Sequence, residues 1–279
     1  MAARNRLHNK LKTMAASQLL PTGPQRGRAD MPSIEKFIKD GLDPVHAIYA
    51  FVQHITSFFA ENVSALPEMK AYATILSKAE DEYMPSAPPM SPLTASFFTT
   101  WALYDLRFEG TDTIGTCMIE ANDLVCLNPD QLDVSKKLSA SRMGVYEHVG
   151  FVGNHVRLHE LITDVEHTCH VAAGYRGEPG QLWYVRLLPP LLPDLARYWI
   201  AVTTPYVLTE ASKADWTQFL RRGSQAGLGN AAEGLHNFLK YGPGLNYWNE
   251  FVFKGYHHHQ ADAISLAGIP DLKATLPHA

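Results

Sequence analysis

Three consecutive histidines, His257, His258 and His259, precede Asp262, and imidazole beside carboxylate is a donor set for zinc and related divalent metals. The spacing limits what the run can do. In a helix His258 and Asp262 are four apart and His259 and Asp262 three apart, so either pair shares a face. In an extended chain His257 and His259 share a face instead. Two histidines converge in each case, whereas a catalytic zinc site needs about three protein ligands. A divalent-metal site on His257, His259 and Asp262 would therefore borrow a ligand from elsewhere, for example Glu250 or His236. The competing expectation is a surface or packing role.

A second group of histidines lies in the middle of the chain. Alternation along 155–162 puts His155, Arg157 and His159 on one face of a strand. Glu147, His148, His167 and His170 fall on neighbouring strands. Gathered on one sheet face, these groups would supply metal ligands or general bases, the equipment of a metal-dependent hydrolase. Spread over a solvated face of an antiparallel sheet, they would do neither. The sequence holds no GxxxxGK[ST] phosphate loop, no GxSxG elbow, no HExxH zinc helix and no GxGxxG after a strand. "GSQAGLGN" (223–230) falls between helical stretches and reads as a connection. The acidic "AEDEY" (79–83) reads as a solvated charge run at a helix end.

Aromatic residues form the third group. Tyr247, Trp248, Phe251 and Phe253 sit in "LNYWNEFVFKGY", where Phe251 follows Tyr247 by four and Trp248 by three, helical spacings. They would either pack a core or anchor a protein partner, where aromatics concentrate binding energy. Residues 1–30 carry six basic groups, among them Arg4, Arg6, Lys10 and Lys12, against one acid, Asp30. That arm could contact nucleic acid. The rest of the chain holds 18 basic and 27 acidic groups, a net of −9, which disfavours a polyanion partner for the body. The chain has no run of about 18 apolar residues, so no membrane span is expected. Cys117, Cys126 and Cys169 are scattered without a CxxC pair, which fits a reducing, cytoplasmic setting.

The elements that must position these residues change character along the chain. Residues 1–31 are expected to form a basic, disordered arm. The region 32–110 is helical: Ser33 caps 31–41, Asp43 and Pro44 start 43–62, and 66–83 and 93–108 follow, with a proline linker at 84–92. A helical or loop connection spans 111–142. Strand patterns rich in Val, Tyr, Trp and Ile occupy 143–152, 155–162, 166–173, 181–188 and 197–208. Helical patterns return over 209–279, at 212–223, 230–242, 246–255 and 256–270, the last ending at Gly268.

The central block "FFTTWALYDLRFEGTDTIG" (97–115), "LSASRMGVYEHVGFVGNHVRLHELIT" (138–163) and "GEPGQLWYVRLLPP" (177–190) resembles a group of bacterial proteins, many of which also carry a SEC-C zinc motif. In these an aromatic helix precedes a small β module. The likeness covers about a third of the chain. The cysteine-rich SEC-C segment itself is absent, so its zinc and its ribosome or SecA links do not carry over. The resemblance implies a fold element and no activity.

The sequence thus predicts an α+β protein, with helical N- and C-terminal regions around a small antiparallel β meander or partly closed barrel at 143–208. The functional expectation is a non-catalytic binding or accessory protein acting in a larger intracellular assembly. The alternatives are the metal-dependent hydrolase and a nucleic-acid-binding protein using the basic arm.

Overall fold

A computed structural model describes residues 33–64, 70–84, 93–107, 112–120, 127–191, 196–225 and 230–279, with Pro89, Ser91 and Asp194 between them. The basic arm with Arg4, Arg6, Lys10 and Lys12 lies outside the described residues, as do Cys126 and most of the proline linker.

Before the sheet come helices α1 (Ile34–Lys39), α2 (Pro44–Ser64), α3 (Lys70–Tyr83), α4 (Ala95–Tyr104), α5 (Ile114–Glu120) and α6 (Pro129–Ala140). Their starts obey local chemistry. Ser33 accepts from Lys36 N, and Asp43 Oδ1 accepts from Val45 N and His46 N. Asn128 and Gln131 form a reciprocal capping box at α6. After the barrel come α7 (Lys213–Gln225), α8 (Ala231–Tyr241) and α9 (Tyr247–Lys254). Ser212 and Asp215 cap α7, Asn230 caps α8, and Gly242 ends α8 at φ +65°, where a side chain would be strained.

The strands are β1 (Met143–Val152), β2 (His155–Glu160), β3 (Glu166–Val171), β4 (Leu182–Leu188), β5 (Trp199–Ala201), β6 (Tyr206–Thr209), β7 (Tyr256–His259) and β8 (Ile264–Ala267). Five of them close into a barrel: β1 pairs β2, β2 pairs β3, β3 pairs β5, β5 pairs β4, and β4 returns to β1. A register shift between His148 and Gly150, with Gly150 at φ +134°, marks a bulge in β1, a device that bends a strand around a barrel. The pairing of β3 with β5 is parallel, so the module is not a simple meander. The ring runs β1-β2-β3-β5-β4 and closes back on β1. Connectivity alone assigns no function.

The stretch read as a fifth strand, 197–208, is two strands, β5 and β6, separated at 202–205. The C-terminal region 256–270, read from the sequence as a helix, is a hairpin. β7 and β8 pair antiparallel, Gln260 N donates to Ala263 O across the turn, and β8 runs parallel to β6. Ile264 and Leu266 are buried and alternate with the part-exposed Ser265, a period of two. The edge of β6 decides the matter, because it offers backbone partners that a helix would leave unmet.

Every residue of β4 is buried, because both its faces are covered. Trp183, Val185 and Leu187 fill the barrel with Val156, Leu158 and Cys169. Leu182, Tyr184 and Leu188 join the larger helical core with Phe97, Trp248 and Phe251. Arg186 faces the same helical side and is fully buried. Its Nη2 donates to Asp105 Oδ2 at the end of α4. Lys240 Nζ of α8 donates to Asp105 Oδ1 at 3.0 Å. Both cations also reach Ser141 O, Lys240 at 2.7 Å and Arg186 Nη1 at 3.1 Å. Two cations therefore share one carboxylate. Burial, more than any other cause, pulls the Lys240 ammonium down to about 8, with the Arg186 charge adding to the effect of burial.

That imbalance makes an asymmetric prediction. Asp105→Asn leaves two buried cations facing a neutral amide and should cost about 3–5 kcal/mol. Lys240→Met leaves a balanced Asp105–Arg186 pair and should change stability by no more than about 1 kcal/mol. Urea unfolding of the two variants checks both values.

Candidate functional site: the barrel mouth

At the end of the barrel beneath the C-terminus of α6 is a pocket of ≈ 360 Å³. Its position follows from the chain path. Ser141 ends α6, Arg142 bridges to β1, and the β2–β3 turn brings Thr163 and Val165 to the rim. The inward stripe of β2 is Val156, Leu158 and Glu160, so its last position puts a carboxylate at the mouth. Tyr146 of β1, His167 of β3, Leu187 of β4 and Trp199 of β5 complete the wall.

The polar groups are organised around Arg142. Its Nη1 donates to Glu160 Oε1 at 2.8 Å and to Met143 O at 3.0 Å. Thr163 Oγ1 donates to Glu160 Oε2 at 2.5 Å. Burial alone would raise the Glu160 carboxyl, but the Arg142 charge and the hydrogen bonds from Arg142 and Thr163 hold it below the usual range. Burial, reinforced by the neighbouring Glu160 charge, pushes the Tyr146 phenol well up. Burial lowers His167, so its imidazole is neutral at pH 7. The His167 ring lies 4.2 Å from the Trp199 ring, centroid to centroid, and edge-on to Tyr146 at 5.9 Å. Among the described residues, no protein acceptor meets Arg142 Nε or Nη2.

A larger pocket of ≈ 550 Å³ lies between α7, α8 and α9. Its arginines are already engaged. Arg222 pairs with Asp271 at 3.1 Å, and Arg107 lies 4.6 Å over the Tyr241 ring. Of these two pockets the mouth is the better site, because it combines shifted carboxylate, phenol and imidazole groups with an incompletely used guanidinium.

The residues singled out by sequence fall elsewhere. His257, His258 and His259 are exposed on β7. His259 Nδ1 bonds Tyr256 OH at 2.8 Å, and His258 lies between His257 and Ser265. On the barrel exterior Glu147 pairs with Lys213, Arg157 with Glu166 and His159 with Asp164. His155 stacks on Tyr198 at 3.6 Å, and His170 lies 5.9 Å from both His155 and His46. His148 points inward, fully buried, with Nε2 on Arg176 O and Nδ1 accepting from Gly150 N. No group of three or more His, Cys, Asp or Glu among the described residues is arranged to hold a metal ion, including His257, His259 and Asp262.

The aromatic run, expected either to pack a core or to anchor a partner, is mostly interior. Trp248, Phe251 and Phe253 are 2%, 1% and 2% exposed. Trp248 stacks on Tyr184 and donates Nε1 to Phe238 O at 2.7 Å, and Phe253 stacks on Tyr83. Only Tyr247 is partly exposed. Helical spacing put these rings on the inner faces of α9, where the core needed them.

The sequence does not single out Arg142, Tyr146, Glu160, Thr163 and Trp199 as a candidate site. One signal for them existed. In a strand whose alternate positions are Val156 and Leu158, a glutamate at the next inward position must find a cation, because a buried carboxylate without one is costly. Neither a family model, nor a curated protein, nor a solved structure matches the chain.

Two outcomes follow. Trp248→Ala should cost about 3–5 kcal/mol in urea unfolding, the behaviour of a core residue. Glu160 has a depressed folded pKa, so its contribution is complete above the unfolded carboxylate pKa and is lost as pH falls through the folded value. Stability measured from pH 7 downward should therefore fall more steeply in the wild type than in Glu160→Gln.

Proposed function

We propose that this chain is a non-catalytic binding protein whose ligand seats in the barrel mouth, serving as an accessory component of a larger assembly. The observation that carries the reading is the free side of Arg142, in a pocket otherwise walled by Leu187, Pro189, Val165 and Trp199. Barrel mouths of this kind are common ligand sites, and about 300–1,000 Å³ is the usual pocket range.

Binding is favoured over catalysis by the state of the polar groups. Glu160 is held ionised by Arg142, which makes it a weak proton acceptor. Tyr146 is held protonated. The neutral His167 ring has no hydrogen-bonded orienting partner among the described residues, and no thiol or hydroxyl nucleophile is bonded to it. The hydrolase alternative lacks a metal-holding cluster among the described residues. The nucleic-acid alternative rests on Arg4, Arg6, Lys10 and Lys12, outside the described residues. On the exterior of β2 and β3 the arginine, Arg157, is paired with Glu166. Buried Cys169 is a thiol outside any disulfide, which supports a cytoplasmic setting. No helix among the described residues is long and apolar enough to cross a membrane.

The test is an NMR screen of the full chain against small neutral and charged fragments. Hits should shift the signals of Thr163, Val165, His167 and Trp199. Val165 is 46% exposed at the rim, so Val165→Trp should plug the mouth and remove those shifts without unfolding the protein. A library that never perturbs the mouth overturns the reading.

A further inference from the structure

The mouth is more particular than a generic apolar pocket, because the charges around it do not balance. Glu160 is hydrogen-bonded on both oxygens, and its charge is met by Arg142 at Oε1 while the Thr163 hydroxyl donates to Oε2. Ser141 lines the pocket, and directly behind it stand Arg186 and Lys240, both bonded to its carbonyl and sharing Asp105. The negative end of the α6 dipole is therefore covered by two cations instead of facing the cavity. Lys137, also in the wall, pairs with Asp133 at 3.0 Å. Of the charged side chains that line the pocket, Lys137 and Arg142 are cations and Glu160 is the one carboxylate.

The Arg142 charge also reaches two neighbours on α8. His236, one turn before Lys240 on α8, is pulled down to about 4, first by burial and then by the Arg142 and Lys240 charges. Lys240 is pulled down to about 8, by burial and, among its neighbours' charges, by Arg186 and Arg142, against the raising effect of Asp105.

We propose that the mouth binds a small aromatic carboxylate, with its carboxylate on the Arg142 guanidinium and its ring against Trp199. This rests on the reading of the mouth as a ligand site. The planar fork of a guanidinium matches a carboxylate with two parallel hydrogen bonds, and Arg142 has one Nη and its Nε for that purpose. Trp199, Leu187, Pro189 and Val165 give the rest of the ligand an apolar wall, and ≈ 360 Å³ admits one or two fused rings. A cationic ligand would meet the Lys137 and Arg142 charges. A nucleic-acid strand needs a groove tracking several phosphates, and this pocket offers one free guanidinium.

The experiment is isothermal titration of the full chain with three probes of one shape: indole-3-acetate, indole-3-acetamide and tryptamine. The acid should bind at least about tenfold tighter than the amide, and tryptamine should be weakest. Arg142→Lys keeps a cation beside Glu160 but removes the fork, so the acid's advantage should shrink to about threefold or less. Val165→Trp should abolish binding of the acid. In the wild type, where no variant has to fold, the acid should shift the Arg142 Nε–H and Trp199 indole N–H signals, and the amide should leave Arg142 unmoved. Equal binding of acid and amide, or preference for tryptamine, overturns this inference and leaves the mouth a ligand site. So does failure of all three probes while neutral fragments still perturb the mouth. Failure of every fragment at the mouth overturns the reading beneath it as well.

Discussion

Asp105 holds the molecule together in a specific sense. It is a buried carboxylate contacted by Arg186 from the barrel and by Lys240 from the C-terminal helices, while it sits itself at the end of an N-terminal helix. Three parts of the chain, far apart in sequence, meet on one side chain. Buried charges of this kind are weak sources of stability and strong constraints on arrangement, since any shift that separates them strands a charge in the interior. Arg186 therefore fixes which face of β4 looks toward the helices, and the barrel interior is left to Trp183, Val185 and Leu187.

The same constraint shapes the mouth. Arg186 and Lys240 both bond Ser141 O, so the junction between α6 and β1 is pinned where the chain enters the barrel. Arg142 is the next residue, and its direction into the pocket is set by that pin and by Glu160 opposite. Structural and pocket-facing charges thus form a connected set. The buried triad supplies the positive background, the Arg142–Glu160 pair supplies the rim, and Thr163 closes the remaining carboxylate oxygen. Ion pairing and burial have fixed the protonation states that proton transfer would need to change, which is the physical ground of the proposed binding role.

The histidines show that type and spacing leave placement to the fold. Thirteen imidazoles in one chain suggest metal chemistry, yet their placements differ for ordinary reasons. His148 is an internal strap that bonds a loop carbonyl and an amide at the β1 bulge. His159 caps a turn through Asp164, and His155 stacks on Tyr198. The exposed run at 257–259 lies on a sheet edge, where polar side chains discourage further strand pairing.

Local rules were legible because they act over a few residues. The caps Ser33, Asp43, Ser212 and Asn230, the stop at Gly242, the strand alternation along 155–160 and the α+β layout all follow from short-range sterics, hydrogen bonding and hydrophobic period. Tertiary structure alone decided the rest. The chain from 256 to 267 became a hairpin because β6 presented an unpaired edge, and the aromatics of α9 went inward because Tyr184, Phe238 and Tyr83 were there to receive them. The site itself joins residues 137–146, 160–167, 187–189 and 199, which barrel closure brings together. Sequence spacing carries no record of that meeting, because the pairing of β1 with β4 and of β3 with β5 is chosen by the packing of the whole chain.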